Sequence, residues 1–297
     1  MRILKKLIIL LSVPLFIVVA AYFYGVYQNN RDVPYPQQTQ IQISLEQSIQ
    51  WLLNHEAEVL TQANPMLWWM LFEVHKISAD ERIGGMLEKY QQRYSRIKHS
   101  VWGPLFDGRQ QTQLGAYAVQ GLPYYNQHLI YALNCAVDIA DESILVSQQN
   151  QADFCHQPTY IYRPACITHQ LMGINFLSTK QCNLLPNIDE VRQSLQQDIA
   201  TQLTWDIRVV DVYLQRVLML LITGKENSVK PMWIQQVLDH QLTDGGWGNF
   251  DVLLDNGARS IGFSSRVISV GQARSDFHAT AQGIYIMSVL LAAKQAK

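Results

Sequence analysis

The sequence has little charge and none of it is concentrated. Asp, Glu, Lys and Arg make up 16% of the 297 residues, and no run of Lys or Arg occurs. Without a basic patch there is no electrostatic footprint for nucleic acid or for anionic lipid as a main partner. Also missing are a G-x-S-x-G elbow, a phosphate-binding glycine loop, an H-E-x-x-H pair and paired C-x-x-C knuckles. Serine hydrolase, nucleotide-dependent and standard zinc-protease chemistries lose their usual signatures, and no metal or other cofactor is implied. Alternating strand patterns are scarce as well. Residues 252–254 and 264–270 are short candidates at most.

One long apolar run stands out against this background. Residues 7–27 read LIILLSVPLFIVVAAYFYGVY and carry no charge. That length suits a helix crossing about 30 Å of hydrocarbon. Arg2, Lys5 and Lys6 precede it, and Tyr22, Phe23, Tyr24 and Tyr27 sit at its far end. The basic residues predict a cytoplasmic amino terminus at residues 1–6, and the aromatic rings predict a position at the interface. A cleaved secretory signal is the rival reading, with Val19 and Ala21 as its small residues. Both readings place the rest of the chain outside the cytoplasm. The expectation is a single-pass inner-membrane protein whose C-terminal domain lies in the periplasm.

Residues 28–43, with two prolines and several glutamines, read as an extended linker. Residues 44–297 then form one large domain. Removing Arg2, Lys5 and Lys6 from the 23 basic residues leaves 20 against 24 acidic residues, a balance of −4 outside the membrane. Cys135, Cys155, Cys166 and Cys182 fall within one segment, and an oxidising compartment predicts at least one disulfide among them. Free buried thiols are the alternative, and a metal arrangement around Cys166 and His169, with Cys155 and His156, is the weakest reading.

Helical periodicity recurs along the domain. Ser44 suits a cap for a helix through Leu45, Ile49 and Leu52. Asn64-Pro65 opens another, and Ile83, Met86, Leu87 and Tyr90 share a face in a third. Residues 101–121 are irregular and residues 143–162 form a polar loop. Helical spacing resumes at 124–140, 165–177, 188–203, 209–223, 229–242 and 277–293. The predicted fold is all-α: an N-terminal transmembrane helix, then helical hairpins packed side by side.

Gln241-Leu-Thr-Asp244-Gly-Gly-Trp247-Gly resembles the glutamine–tryptophan motif of triterpene cyclases. Ser275-Asp276-Phe277-His278-Ala279-Thr280 resembles the Asp-x-Tyr-His-Thr segment of protein prenyltransferase beta subunits. Both resemblances imply an alpha/alpha toroid. The cyclases' Asp-x-Asp-Asp signature is absent, as is an aspartate–cysteine pair for prenyltransferase zinc. The resemblance therefore carries the fold and not either reaction.

His169, Asp211, Asp276 and His278 each lie at or near the start of a strongly apolar helix. In a toroid the inner helices run parallel, so these starts would gather at one mouth as an acid–base site. Trp102, Asp107, Arg109, Asp244 and Trp247 would form a substrate-binding rim. The structural alternatives are a helix cap for Asp276, a hydrogen-bonded histidine under a disulfide for His169, and an arginine partner for Asp211. Among Asp206, Arg208, Asp211, Gln215 and Arg216, a buried network built on Arg208 or Arg216 is expected. Two functions follow. One is an enzyme acting on an envelope glycan or other polymer, with Asp211 and Asp244 as available carboxylates. The other is a non-enzymatic scaffold binding an envelope protein or other component.

Overall fold

The computed structural model describes residues 2–257 and 259–295, with side chains described from residue 13 to residue 293 except at position 258. Among the described residues the chain is mostly helical. The first helices are α1 (Arg2–Asn30), α2 (Gln38–Asn54), α3 (Glu56–Val59), α4 (Pro65–Ser78) and α5 (Glu81–Arg93). Then come α6 (Tyr124–Asn134), α7 (Val137–Glu142), α8 (Ile144–Gln148), α9 (Cys166–Thr179), α10 (Ile188–Trp205), α11 (Asp211–Ile222) and α12 (Pro231–Asp239). Three strands, β1 (Asp251–Leu254), β2 (Ser260–Phe263) and β3 (Ile268–Gly271), precede the last helix, α13 (Phe277–Gln295).

The strands correct the all-α expectation. They form an antiparallel meander in the order β1-β2-β3. Each has four residues, and Val252, Leu253, Leu254, Ile268 and Val270 are exposed. A strand this short, with apolar residues on both faces, leaves no alternating pattern to read.

The linker is shorter than expected. Helix α1 continues to Asn30 and α2 begins at Gln38, so only residues 31–37 are extended. The start of α2 lies at Gln37, whose amide donates to Gln40 Oε1 at 3.1 Å. Ser44 is therefore buried inside the helix and not its cap.

Helix α1 is rooted in the domain. Its Val13, Leu15, Phe16, Ile17 and Val18 side chains are exposed, while Asn29 at its other end is buried. A helix ends with carbonyl groups that lack partners, and α1 supplies them to α10. Asn29 Nδ2 donates to Leu203 O at 2.7 Å, Asn30 Nδ2 to Thr204 O at 2.7 Å, and Tyr22 Oη to Trp205 O at 2.9 Å. Tyr213 Oη in turn donates to Asn29 Oδ1 at 2.9 Å. Among the described residues no helix is long and apolar enough to cross a membrane. The side chains of residues 7–12, within the expected span, lie outside the described residues.

The core lies between packed helices. Helix α13 packs on α4, α2 and α11, and α9 packs on α6, α10 and α11. The first turns of α6, α9, α11 and α13 meet at one cleft, through Tyr124, His169, Asp211 and His278. The later parts of α6, α9, α11 and α13 meet at a second cavity through Leu133, Thr179, Ile222 and Tyr285. These four helices therefore run parallel.

Two disulfides tie the middle of the chain. Cys135 is bonded to Cys182 across 47 residues, and Cys155 to Cys166 across 11. Loop closures of these lengths constrain the unfolded chain by about 4 and about 3 kcal/mol in the chain-entropy account. The second fastens the loop at 155 to the first residue of α9.

Candidate functional site

A buried ion network sets the positions of the helix starts. Asp206 follows the last residue of α10, and its carboxylate faces two guanidinium groups. Arg208 Nε donates to Oδ1 at 2.6 Å and Arg216 Nη1 to Oδ2 at 2.6 Å. Arg216 also donates to Gln202 Oε1 at 2.9 Å and to Pro164 O, just before α9, at 3.2 Å. Arg208 Nη1 reaches the carbonyls of Ser264 and Ser265, in the turn between β2 and β3, at 3.5 and 3.4 Å. Burial would push Asp206 up, but the two arginines outweigh it and hold the carboxyl below the usual carboxylate range.

The Asp244-Gly-Gly-Trp247 turn fixes the start of α13 in the same way. Trp247 O accepts from Asp276 N at 2.8 Å, and Trp247 N donates to Thr280 Oγ1 at 3.1 Å. The indole is inside the core, and its Nε1 donates to Val237 O at 2.7 Å. Gly283 makes room for it, since a Cβ there would lie 2.3 Å from the ring. Gly245 adopts φ +94° with the Gln47 carbonyl against it, a conformation and an approach that suit glycine.

Within this frame, three of the four proposed catalytic residues share the cleft. It encloses about 520 Å³ and is lined by His169, Asp211 and His278, together with Tyr125, Gln215, Asn249, Ser265, Arg163 and Arg266. His278 Nδ1 lies 3.2 Å from Asp211 Oδ2, and Ser265 Oγ donates to Asp211 Oδ1. Burial raises the Asp211 carboxyl, yet the hydrogen bonds from His278 and Ser265 prevail and keep it below its ordinary range. The order is hydroxyl, carboxylate, imidazole. The imidazole does not stand between the other two, so the relay of a serine hydrolase is not assembled.

His169 is held differently. Its ring stacks on Tyr125 with centroids 4.4 Å apart, and its Nε2 lies 3.4 Å from Gln215 Nε2. Gln215 Oε1 accepts from Thr168 Oγ1 at 2.7 Å, which orients the amide. Surrounding protein, then the nearby His278, lower His169 to about 4. It is neutral at pH 7. His278 Nε2 is likewise engaged, 3.1 Å from Gln282 Nε2. The Oε1 atom of that buried amide has no hydrogen-bond partner among the described residues.

Asp276 stays behind the cleft. Its Oδ1 caps α13 by accepting from Ala279 N at 2.8 Å. Burial raises its carboxyl, partly offset by that hydrogen bond and by His278, while Asp211 adds to the rise.

The five rim residues are not at this cleft. Trp247 is core. Asp244 accepts from Trp51 Nε1 at 3.1 Å and from Ser275 Oγ at 2.6 Å, so it braces α2 and the approach to α13. Of the two carboxylates, Asp211 lines this cleft and Asp244 does not. Asp107 lines the second cavity beside Lys180, and Trp102 and Arg109 flank it in sequence. His169 and Thr179 mark the two ends, and the rise of a helix separates them by about 15 Å. The disulfide at Cys166 also removes the Cys166–His169 metal arrangement.

Sequence reading passed over Tyr125, Arg163, Asn249, Ser265 and Arg266. Tyr125 carried a usable signal, being at the start of a periodic segment. The other four lie in loops and turns that only the tertiary fold brings to the cleft.

The histidines make stability depend on pH. His128 is fully buried, and burial lowers it to about 4, with a hydrogen bond to Asn150 opposing the shift. The ordinary value of 6.5 returns on unfolding, so between pH 4 and 6.5 the unfolded chain binds more protons than the folded one. Stability therefore falls as pH drops through that window. Urea unfolding should show a loss of roughly 3 kcal/mol from His128 alone. His128→Gln should make the profile shallower and leave the part that His169 supplies, and a wild-type profile level across the window would contradict this.

No family model matches the chain, and no match was found among curated proteins or solved structures.

Proposed function

We propose that the protein is an exported, membrane-tethered enzyme acting on an envelope glycan or another envelope polymer by acid–base chemistry. The observation that carries this reading is the meeting of His169, Asp211 and His278 in one cleft. Their environments differ in the manner acid–base pairs require. Asp211 is held as a carboxylate and fixes the His278 proton on Nδ1, while neutral His169 is available as a base. The Tyr125 ring beside His169 offers a flat face and a phenol for a sugar. Asp276, pushed toward its protonated form, lies behind them.

The surrounding architecture is read as an alpha/alpha toroid. Helices α4, α13, α11, α9 and α6 would be the inner ring, with α2, α5 and α10 outside. The successive packing of these helices and the gathering of their starts support it. Residues 7–27 are read as the anchor, with residues 1–6 in the cytoplasm and the domain in the periplasm. Its charge-free sequence, the exposed apolar side chains of α1 and the two disulfides support this. Reporter fusions after residue 40 should be active only outside the cytoplasm; activity inside would reverse the topology.

A scaffold without chemistry is the second reading. One observation favours it: each cleft histidine already has its Nε2 against a glutamine amide. Proton transfer at either atom requires the ligand to replace that contact. The purified full chain, incubated with isolated envelope polysaccharide, should release new chain ends. His278→Gln and His169→Gln should each reduce the rate by about a hundredfold or more while leaving the melting temperature nearly unchanged. Binding of polysaccharide by the wild type without any product would decide for the scaffold.

A further inference from the structure

The cleft receives a guanidinium group from each of two separate elements. Arg163 comes from the loop before α9, and Arg266 from the turn between β2 and β3. Arg163 is held over two rings, 5.5 Å from the Tyr124 centroid and 5.7 Å from that of Tyr160. Such stacking orients a guanidinium without neutralising it. The backbone of Arg266 is fixed by a bond from its amide to Ser264 Oγ at 3.3 Å. Neither guanidinium forms a salt bridge among the described residues. Arg208 and Arg216 differ, since both share the Asp206 carboxylate.

Asp211 does not compensate for the pair. Among the described residues it is the one carboxylate lining the cleft, and His278 and Ser265 occupy its two oxygens. The lining therefore carries two arginines against one aspartate. The first turns of four helices add the positive ends of their dipoles.

We propose that the cleft binds an anionic group, a carboxylate or a phosphoryl group carried by its ligand, and that Arg163 and Arg266 select for it. This rests on the acid–base reading above and names the class of substrate. A planar guanidinium pairs bidentately with either anion. A neutral ligand would displace water from two cations and return hydrogen bonds without a countercharge. A cation would be repelled by both.

Calorimetric titration of the purified full chain tests this with three probes: inorganic phosphate, a trisaccharide of uronic acid, and the same trisaccharide with its carboxyl groups reduced to alcohols. At least one anion should bind, more weakly as salt rises, and the reduced sugar should not. Phosphate alone points to a phosphoryl ligand, and the uronate alone to a carboxylate. Arg163→Gln with Arg266→Gln should weaken binding by about a hundredfold, at an unchanged melting temperature. Should the double variant fail to fold, Arg266→Gln on the exposed turn should by itself cost about tenfold. Three results would overturn the proposal: equal binding of the reduced sugar, wild-type affinity in the variants, or no binding of either anion at about 10 mM, beyond the weakest affinity of a specific ionic contact. Turnover of a neutral polymer without anion binding would remove this inference and leave the acid–base reading. Anion binding together with a failure of His278→Gln to affect any activity would do the reverse.

Discussion

The candidate site depends on a carboxylate that is itself outside the cleft. Asp206 is buried between Arg208 and Arg216, and through them it touches every wall that matters. Arg216 belongs to α11 and grips the carbonyl before α9; Arg208 grips the turn that presents Ser265 and Arg266. A charge cluster of this kind gives uncertain net stability, because desolvation offsets much of the attraction. What it provides is register. The guanidinium forks have fixed geometry, and each satisfied bond places a helix start or a turn relative to α10. Helix α1 then closes the same corner by bonding the last carbonyls of α10.

Much of this was readable from the sequence, and the reasons are particular. Polar residues at the starts of apolar helices mark the ends of buried elements, which is why His169, Asp211 and His278 could be grouped in advance. The cluster around Asp206 was legible for a related reason: polar side chains beside a helix apolar on most sides must find partners. The Asp244-Gly-Gly-Trp247 segment was legible as a turn and misread as a rim. Its glycines suit a tight turn, but Gly283, thirty-six positions on, lets the indole enter the core, and no local pattern carries that information.

Other parts were not legible. Arg163, Ser265 and Arg266 lie in irregular segments, where composition says only that the chain is exposed. They reach the cleft because a disulfide holds the segment before α9 and a three-stranded meander holds the turn. Four-residue strands carry too few positions to display a period. Asp107 was misplaced because a loop's distance from a helix start is set by helix direction: its neighbours Thr179 and Tyr285 lie well past the first turns of their helices.

The central claim is that the gathered helix starts fix a proton between Asp211 and His278. Nitrogen NMR of the imidazole rings at about pH 7, where an ordinary histidine is largely neutral, measures this without knowledge of the substrate. The His278 ring should be protonated at Nδ1, with that signal lost or averaged in Asp211→Asn. A His278 proton residing on Nε2, or tautomers exchanging freely in the wild type, would contradict it.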